Sequence, residues 1–315
     1  MTNRFPTRPY IRKIGTIACN NIVETTPLIW KGELYRFEVI RRKSFTSATV
    51  NKHWSELDDA PCLRFMHVRT NTATPLFADD HTFGFPYVVR DTMHVVTGKG
   101  REWGADTLVF FRSGDLIHWE AYTEVHLPGW KIYNMNIAEK NGVYTLLIEI
   151  SDPVEEAGKH PYTFRFLQST DMTNWKLLPP EYVFQKDRNR GSPSIYTFDG
   201  DPYYYVGYLE AYPGYRFAQS MARSKDLMHW EYSPINPILM YNEFEDKQIA
   251  SAFLTPEDRK RIEEALDTNN SDMELCEYLG RTLIYYSWGD QRGTEFLAEA
   301  WYEGSMHELL RSFFE

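Results

Sequence analysis

The chain is short of cysteine, of positive charge and of long apolar runs, and each shortage removes a class of protein. Only three cysteines occur in 315 residues, Cys19, Cys62 and Cys276. They are too widely spaced for a disulfide framework or a zinc cluster, so buried thiols in a reducing, cytoplasmic setting are expected. Lys and Arg number 34 against 44 Asp and Glu, a net charge of −10. That balance speaks against a nucleic-acid partner. No apolar stretch approaches the ~20 residues that span a bilayer. The opening MTNRFPTRPYIRKIG lacks the apolar core of a secretory signal, so neither membrane attachment nor export is expected. Familiar catalytic signatures are missing as well. GKGREWGAD at 98–106 lacks the Lys-Ser/Thr ending of a phosphate loop. There is no His-x-x-x-His or Cys-x-x-Cys for a zinc ion and no Gly-x-Ser-x-Gly elbow.

What the chain has in quantity is aromatic side chains (21 Tyr, 19 Phe, 9 Trp) and a repeat. RSGDLIHW at 112–119, STDMTNW at 169–175 and RSKDLMHW at 223–230 share Ser-x-Asp-x-x-x-Trp, with aspartates 115, 171 and 226 spaced by 56 and 55 residues. A period of that size marks a repeat architecture. Strand-like runs recur with it: GELYRFEVI, TMHVVTG, GVYTLLIEI, DPYYYVGYL and RTLIYYSW. Each begins at or just after a turn residue, in order Gly32, Asp91, Gly142, Gly200 and Gly280. The last interval is the longest because TPEDRKRIEEALD at 255–267 reads as an inserted helix, with Thr255 as N-cap and Pro256 at its first position. The expected fold is therefore all-β: a five-bladed β-propeller over residues 1–315 as one domain, with a helical insertion at 255–267 before the last blade. Within it the Ser-Asp-Trp stretch closes the turn between a blade's third and fourth strands, and the Trp plugs the space between blades.

Ser-x-Asp-Leu-x-x-Trp after a Tyr-rich strand resembles the five-bladed propeller glycoside hydrolases. These comprise the arabinanase and xylosidase family 43, the invertase-like enzymes and family 117. NNSDMELCEYLGRTLIYYSWGDQRGTEFLAEAWYEG at 269–304 is similar to uncharacterised relatives of family 117. The resemblance implies a glycosidase acting on a small oligosaccharide, inverting as families 43 and 117 do, whereas the invertase-like enzymes retain. It requires no cofactor, but calcium or another hard cation, held in the central channel by water and carbonyl oxygens, occurs in the resembling families. The family's catalytic set does not transfer. Thr26-Pro27 stands where family 43 opens with Asp-Pro, and Gly191-Ser192-Pro193 stands where it carries Glu-Gly-Pro.

Candidates therefore come from position. Ligands meet a propeller at the openings of its innermost strands. Eight residues before the turn lie Glu24 in the first unit, Phe83 in the second, Asn134 in the third and Asp272 in the fifth. In the fourth, Pro193 sits two residues further from its turn than Pro27 does, and allowing for that gives Arg190. Carboxylates at matching openings of the first and last blades are neighbours once the ring closes. A glycosidase needs one such group protonated and one ionised. Glu24 and Asp272 are the expected pair, with Asp80 a third acid and His81 beside it a hydroxyl ligand or proton donor. Glu274 is expected deeper in the channel; Glu295 and Glu299 lie on a later strand of the last blade, where a structural pair with Arg292 or Arg223 is as good a reading as a place at the site. Sugar hydroxyls would meet Asn134, Asn136, Arg188, Arg190, Asn269, Asn270 and Glu210, and sugar faces Tyr133, Trp103 or Trp288. Two other functions stay open. Lys186, Arg188 and Arg190 would suit phosphate in a glycoside phosphorylase. The Ser in place of the family acid would suit a carbohydrate-binding propeller without catalysis. Oligomeric state is left open, with MHELLRSFF either packing on a partner or closing the last blade.

Overall fold

The computed structural model describes residues 8–19, 23–41, 60–100 and 103–315. The opening heptapeptide and positions 101 and 102 of the GKGREWGAD stretch lie outside them. Strands dominate, and most are antiparallel meanders. The first sheet holds β2 (Thr26–Trp30), β3 (Glu33–Arg41), β4 (Pro61–His67) and β5 (Thr72–Ala73). The second holds β6 (His81–Val89), β7 (Thr92–Lys99), β8 (Thr107–Ser113) and β9 (Glu120–His126). The third holds β10 (Lys131–Lys140), β11 (Val143–Asp152), β12 (Thr163–Ser169) and β13 (Lys176–Leu177), with the short α1 (Val154–Ala157) in its second connection.

The remaining strands form one nine-stranded sheet in two halves. One half is β14 (Gly191–Tyr196), β15 (Tyr204–Tyr212) and β16 (Arg216–Ser224), with β17 (Glu231–Tyr232) and β18 (Leu239–Met240) both on β16. The other is β19 (Asn269–Tyr278), β20 (Arg281–Gly289) and β21 (Glu295–Tyr302). A single parallel bridge, Phe217 to Asn269, joins the halves. The second half takes its fourth strand from the start of the chain: β1 (Arg12–Ala18) pairs antiparallel with β21, so the chain's two ends are held by one ladder. β6 lies beside β2 and β10, β10 beside β14, β14 beside β19, and β19 returns to β2.

Short connections and apolar burial explain this arrangement. Three two-residue hairpin turns place both residues at positive φ, Lys31-Gly32, Asn141-Gly142 and Leu279-Gly280, which matches the twist of the flanking strands. Of the five apolar clusters among the described residues, four bridge neighbouring sheets and the fifth joins the two halves of the nine-stranded one. Phe37 and Phe65 pack with Val95 and Leu116, for example, and Leu34 with Leu283 and Leu297. Each fully buried Phe contributes about 1.5–3 kcal/mol over an exposed one.

The repeated motif does the work expected of it. Ser113 Oγ accepts the N–H groups of Asp115 (3.2 Å) and Leu116 (2.9 Å), and Asp115 Oδ1 accepts those of Ile117 and His118. Ser224 and Asp226 repeat all four bonds, and Ser169 and Asp171 repeat those to Asp171, Thr173 and Asn174. Each tryptophan then stacks on the preceding sheet: Trp119 on Phe77 at 3.9 Å, Trp175 on Phe110, and Trp230 on Phe166.

α2 (Glu243–Asp246) and α3 (Pro256–Glu264) lie between β18 and β19. Thr255 and Asp258 form a full capping box on α3, which is shorter than the 255–267 read from the sequence. α4 (Met306–Ser312) buries Leu309 and Leu310, together with Phe313, against the last sheet's core. All three cysteines are buried thiols. Among the described residues no helix is long and apolar enough to cross a membrane.

Candidate active site

The inner strands are interrupted where they face one another. Register shifts fall between Thr82 and Phe85 on β6, Ile132 and Met135 on β10, Gly191 and Ser194 on β14, and Ser271 and Glu274 on β19. Glu24, just before β2, and Phe83, Ser192 and Asp272 in three of these interruptions all hold positive φ, between 49° and 54°. For non-glycine residues that conformation costs roughly 1–3 kcal/mol each and survives where the surroundings impose it. The interruptions break the in-out alternation of the strands and aim these side chains at one cavity.

That cavity, of about 330 Å³, is lined by Glu24, Asn134, Glu149, Ser192, Asp272 and Glu295, with an aromatic wall of Phe83, Trp103, Tyr133 and Tyr162. The rings meet edge-on or tilted: Phe83 and Trp103 at 5.2 Å, Tyr133 and Tyr162 at 4.9 Å. A narrower chamber continues beneath it, lined in part by Glu24, Asn134, Asp272 and Glu274.

Four carboxyl groups share the cavity, with a fifth below, and their surroundings differ. Glu149 Oε2 accepts Asn134 Nδ2 at 3.0 Å and the backbone N–H of Ser192 at 3.2 Å. Burial nonetheless pushes it up to about 8. Glu24 is held well above the usual carboxyl range, first by burial and then by the charges of Asp272, Glu149 and Glu295, against one favourable bond from Asn134. Glu295, whose Oε1 accepts the N–H of Gln291 at 2.8 Å, is raised by burial and by Asp272. Asp272 is also raised by burial, but the hydroxyls of Ser271 (2.6 Å), Ser192 and Ser287 oppose the shift. Among these acids it has the most side-chain donors stabilising its ionised form. Below them Glu274 accepts Asn136 Nδ2 at 2.7 Å and Tyr196 Oη–H at 2.9 Å, and burial raises it to about 8.

The structure thus brings Glu24, Asp272 and Asn134 together, with Tyr133 and Trp103 beside them. Other expected residues stand elsewhere. Arg190 is not the fourth opening; Ser192 is, at the uncorrected distance of eight from Gly200. Pro193 lies inside the interruption and is not equivalent to Pro27, so it gave a false offset. Arg190 is buried over the Tyr208 ring and bonds Gln185, with Glu210 at 3.4 Å. Arg188 is exposed and shared between Asp187 and Glu210, and Lys186 Nζ donates to the Glu155 carbonyl. None of Glu210, Arg188, Arg190 or Lys186 lines the cavity.

Asn136 lies one step deeper and serves Glu274. Asn270 is turned the other way, between Lys13 Nζ (2.6 Å) and Asp246, because the alternation on β19 reverses only after Ser271. Asn269 donates to Ser271 Oγ. Trp288 is fully buried, bonded to Thr16 and stacked on Phe296, and offers no face to a ligand. Asp80 and His81 lie outside the cavity lining. The Asp80 carbonyl accepts the Gly100 N–H, and His81 Nδ1 contacts the Asp79 carbonyl with its ring edge-on to Phe111. Glu299 accepts Trp301 Nε1 away from the cavity. Glu295 lines the cavity; Arg292 rests on Tyr215, and Arg223 pairs with Glu231.

Glu149 was not among the candidates. Its trace in the sequence is a lone carboxylate in the aliphatic run LLIEI. Among the described residues no group of three or more His, Cys, Asp or Glu side chains is placed to hold a metal ion.

No protein-family model and no curated protein sequence matches the chain. Solved structures do. An α-L-arabinofuranosidase from Podospora anserina, solved with cellotriose, superposes with a TM-score of 0.58 at 8% identity, over 94% of this chain and 98% of its own. The catalytic domain of a family 62 α-L-arabinofuranosidase from Coprinopsis cinerea gives 0.58 at 8% identity, over 95% and 98%. A family 32 β-fructofuranosidase of Bombyx mori, solved as a variant with sucrose, gives 0.56 at 11% identity, over 92% of this chain and 61% of its own. The chain has the fold of the β-propeller glycoside hydrolases.

Proposed function

We propose that the protein is a glycoside hydrolase of five blades, in which a single domain presents a small oligosaccharide to Glu24 and Asp272. The observation that carries the reading is the unequal treatment of these two carboxyls within one cavity. Glu24, crowded by Asp272, Glu149 and Glu295, keeps its proton. Asp272, served by three serine hydroxyls, gives its proton up more readily. That is the division of labour glycoside hydrolysis needs. Glu24 donates its proton to the glycosidic oxygen as the bond to the anomeric carbon breaks. Asp272 accepts a proton from a water whose oxygen bonds that carbon from the opposite face, so configuration inverts. Phe83, Trp103, Tyr133 and Tyr162 offer faces and edges to the sugar, and Asn134 holds Glu149 in place beside Glu24.

The blade count rests on the five packing clusters and on the return of β19 to β2. Hydrolysis is favoured over phosphorolysis because Lys186, Arg188 and Arg190 are committed to protein partners. The test is a panel of oligosaccharides, with and without phosphate, followed at the anomeric protons by NMR beside the Asp272→Asn variant. Phosphate-independent cleavage that the variant lacks, with the inverted anomer appearing first, is expected. Cleavage only with phosphate, or undiminished cleavage by the variant, sinks the reading.

A further inference from the structure

Glu149 uses its two carboxyl oxygens unequally. Oε2 accepts Asn134 Nδ2 at 3.0 Å and the Ser192 N–H at 3.2 Å, so one oxygen takes two donors. Oε1 lies towards Gly191, which lines the cavity beside it. A Cβ at position 191 would stand 3.6 Å from Oε1. Apart from its chain neighbours, no other atom of the described residues would come within 4 Å of that Cβ. A side chain at 191 would therefore occupy the space beside Oε1, and glycine keeps it clear. The carboxyl is anchored through one oxygen and presents the other to the cavity.

We propose that Glu149 is a substrate-binding residue, and that its Oε1 meets a hydroxyl of the bound sugar in the space left by Gly191. The proton inventory supports this direction. Burial holds the carboxyl at about 8, so at pH 7 it is mostly neutral and carries one O–H. Oε2 already receives two N–H groups, which leaves the proton to Oε1 and makes that oxygen a donor aimed at the ligand. The bonds from Asn134 and Ser192 fix its aim. A sugar without an oxygen at that place would leave a buried O–H unpaired, so the contact discriminates between sugars.

This inference rests on the hydrolase reading but is tested apart from it. The probes, at pH 7, are 4-nitrophenyl galactosides, glucosides, xylosides and arabinofuranosides of both configurations. Cleavage is measured in the parent, and binding by protein NMR in Asp272→Asn protein, each with and without changes at 149 and 191. Glu149→Ala is expected to weaken binding and raise KM by about 10–100-fold. Glu149→Gln, with an N–H where Oε1 stood, should restore most of that loss, because its amide oxygen still serves Asn134 and Ser192. Gly191→Ala carries the test even where Glu149→Ala fails to fold. Its backbone lies outside the left-handed region and its methyl makes only ordinary contact with Oε1. It should weaken binding by about 10-fold at an unchanged melting temperature. The same order of binding with no cleavage by the parent would uphold the contact while removing the hydrolase reading. Binding by Glu149→Ala or Gly191→Ala as tight as the parent's would overturn the contact and leave hydrolysis standing. So would a Glu149→Gln protein that binds normally but has lost kcat, since Glu149 would then be a proton donor. Neither binding nor cleavage of any probe at millimolar concentration would overturn both.

Discussion

The acidic residues of this chain fall into two environments that treat the same chemical group in opposite ways. Asp115, Asp171 and Asp226 sit in exposed turns, and each accepts two or more N–H groups within three residues of itself. These bonds hold the carboxyls below the ordinary range. Glu24, Glu149, Glu274 and Glu295 sit around the central cavity and channel, where burial and mutual repulsion hold them above it. The first group organises local backbone. The second carries a free-energy cost that other packing must offset, which is the usual condition of groups kept for chemistry. Asp272 stands between the two, buried with the second group yet served by hydroxyl donors.

Breaking each environment separately tests that contrast. Asp272→Asn is expected to lower kcat by about 10²–10⁴-fold with an unchanged melting temperature. Asp226→Asn is expected to leave kcat untouched, and a comparable loss of activity in both variants would erase the distinction. Two tryptophans extend the comparison to packing. Trp288→Ala removes a fully buried ring and should destabilise by about 3–5 kcal/mol, seen in denaturant unfolding. Trp103→Ala, at the cavity wall, should raise KM while unfolding as the parent does.

The pH profile sharpens the contrast further. In the proposed mechanism Asp272 works ionised and Glu24 protonated, so a bell is expected. Glu295→Gln removes one of the charges that raise Glu24, so Glu24 loses its proton at lower pH. The basic limb should move towards acid by up to about one pH unit, and a limb that stays in place would separate Glu295 from the acid's environment.

The smallest effect is on stability. Glu274 titrates near 8 in the fold and near 4.3 unfolded. Its contribution is fully present below the unfolded value and is lost as pH rises through the folded one. Glu274→Gln should flatten the melting-temperature profile between about pH 4 and 8. Asp226 runs the other way. Its depressed value contributes stability above the unfolded pKa, lost as pH falls, so Asp226→Asn should lower the melting temperature slightly at pH 7 and less in acid.

The legible parts of the molecule were those in which a residue's partner lies close by in sequence. Ser-x-Asp-x-x-x-Trp could be read because Ser113 and Asp115 bond residues within three positions. The capping box of Thr255 and Asp258 is equally local. Glu24 and Asp272 were found because the count from inner-strand opening to hairpin turn is fixed by the strand between them. The same count would have found Ser192, had Pro193 not been aligned with Pro27. A proline, having no N–H, sits readily in an interrupted ladder, and there its position says nothing about register. Trp288 and Trp103 could not be told apart, since an aromatic side chain reads the same whether it faces a cavity or a core.

Sequence alone therefore determined the repeat, the strands, the turn chemistry and two of the cavity's carboxyls, because each depends on contacts or spacings within a few residues. Only the tertiary structure decided the rest. Glu149 on β11 meets Ser192 of the neighbouring sheet across 43 residues of chain, and Asn136 meets Glu274 across 138. Arg190, Arg292 and Asn270 are turned from the cavity by Tyr208 and Glu210, by Tyr215, and by Lys13 with Asp246. Protonation follows from desolvation and from charges brought together by different sheets, and neither quantity exists until the sheets have packed.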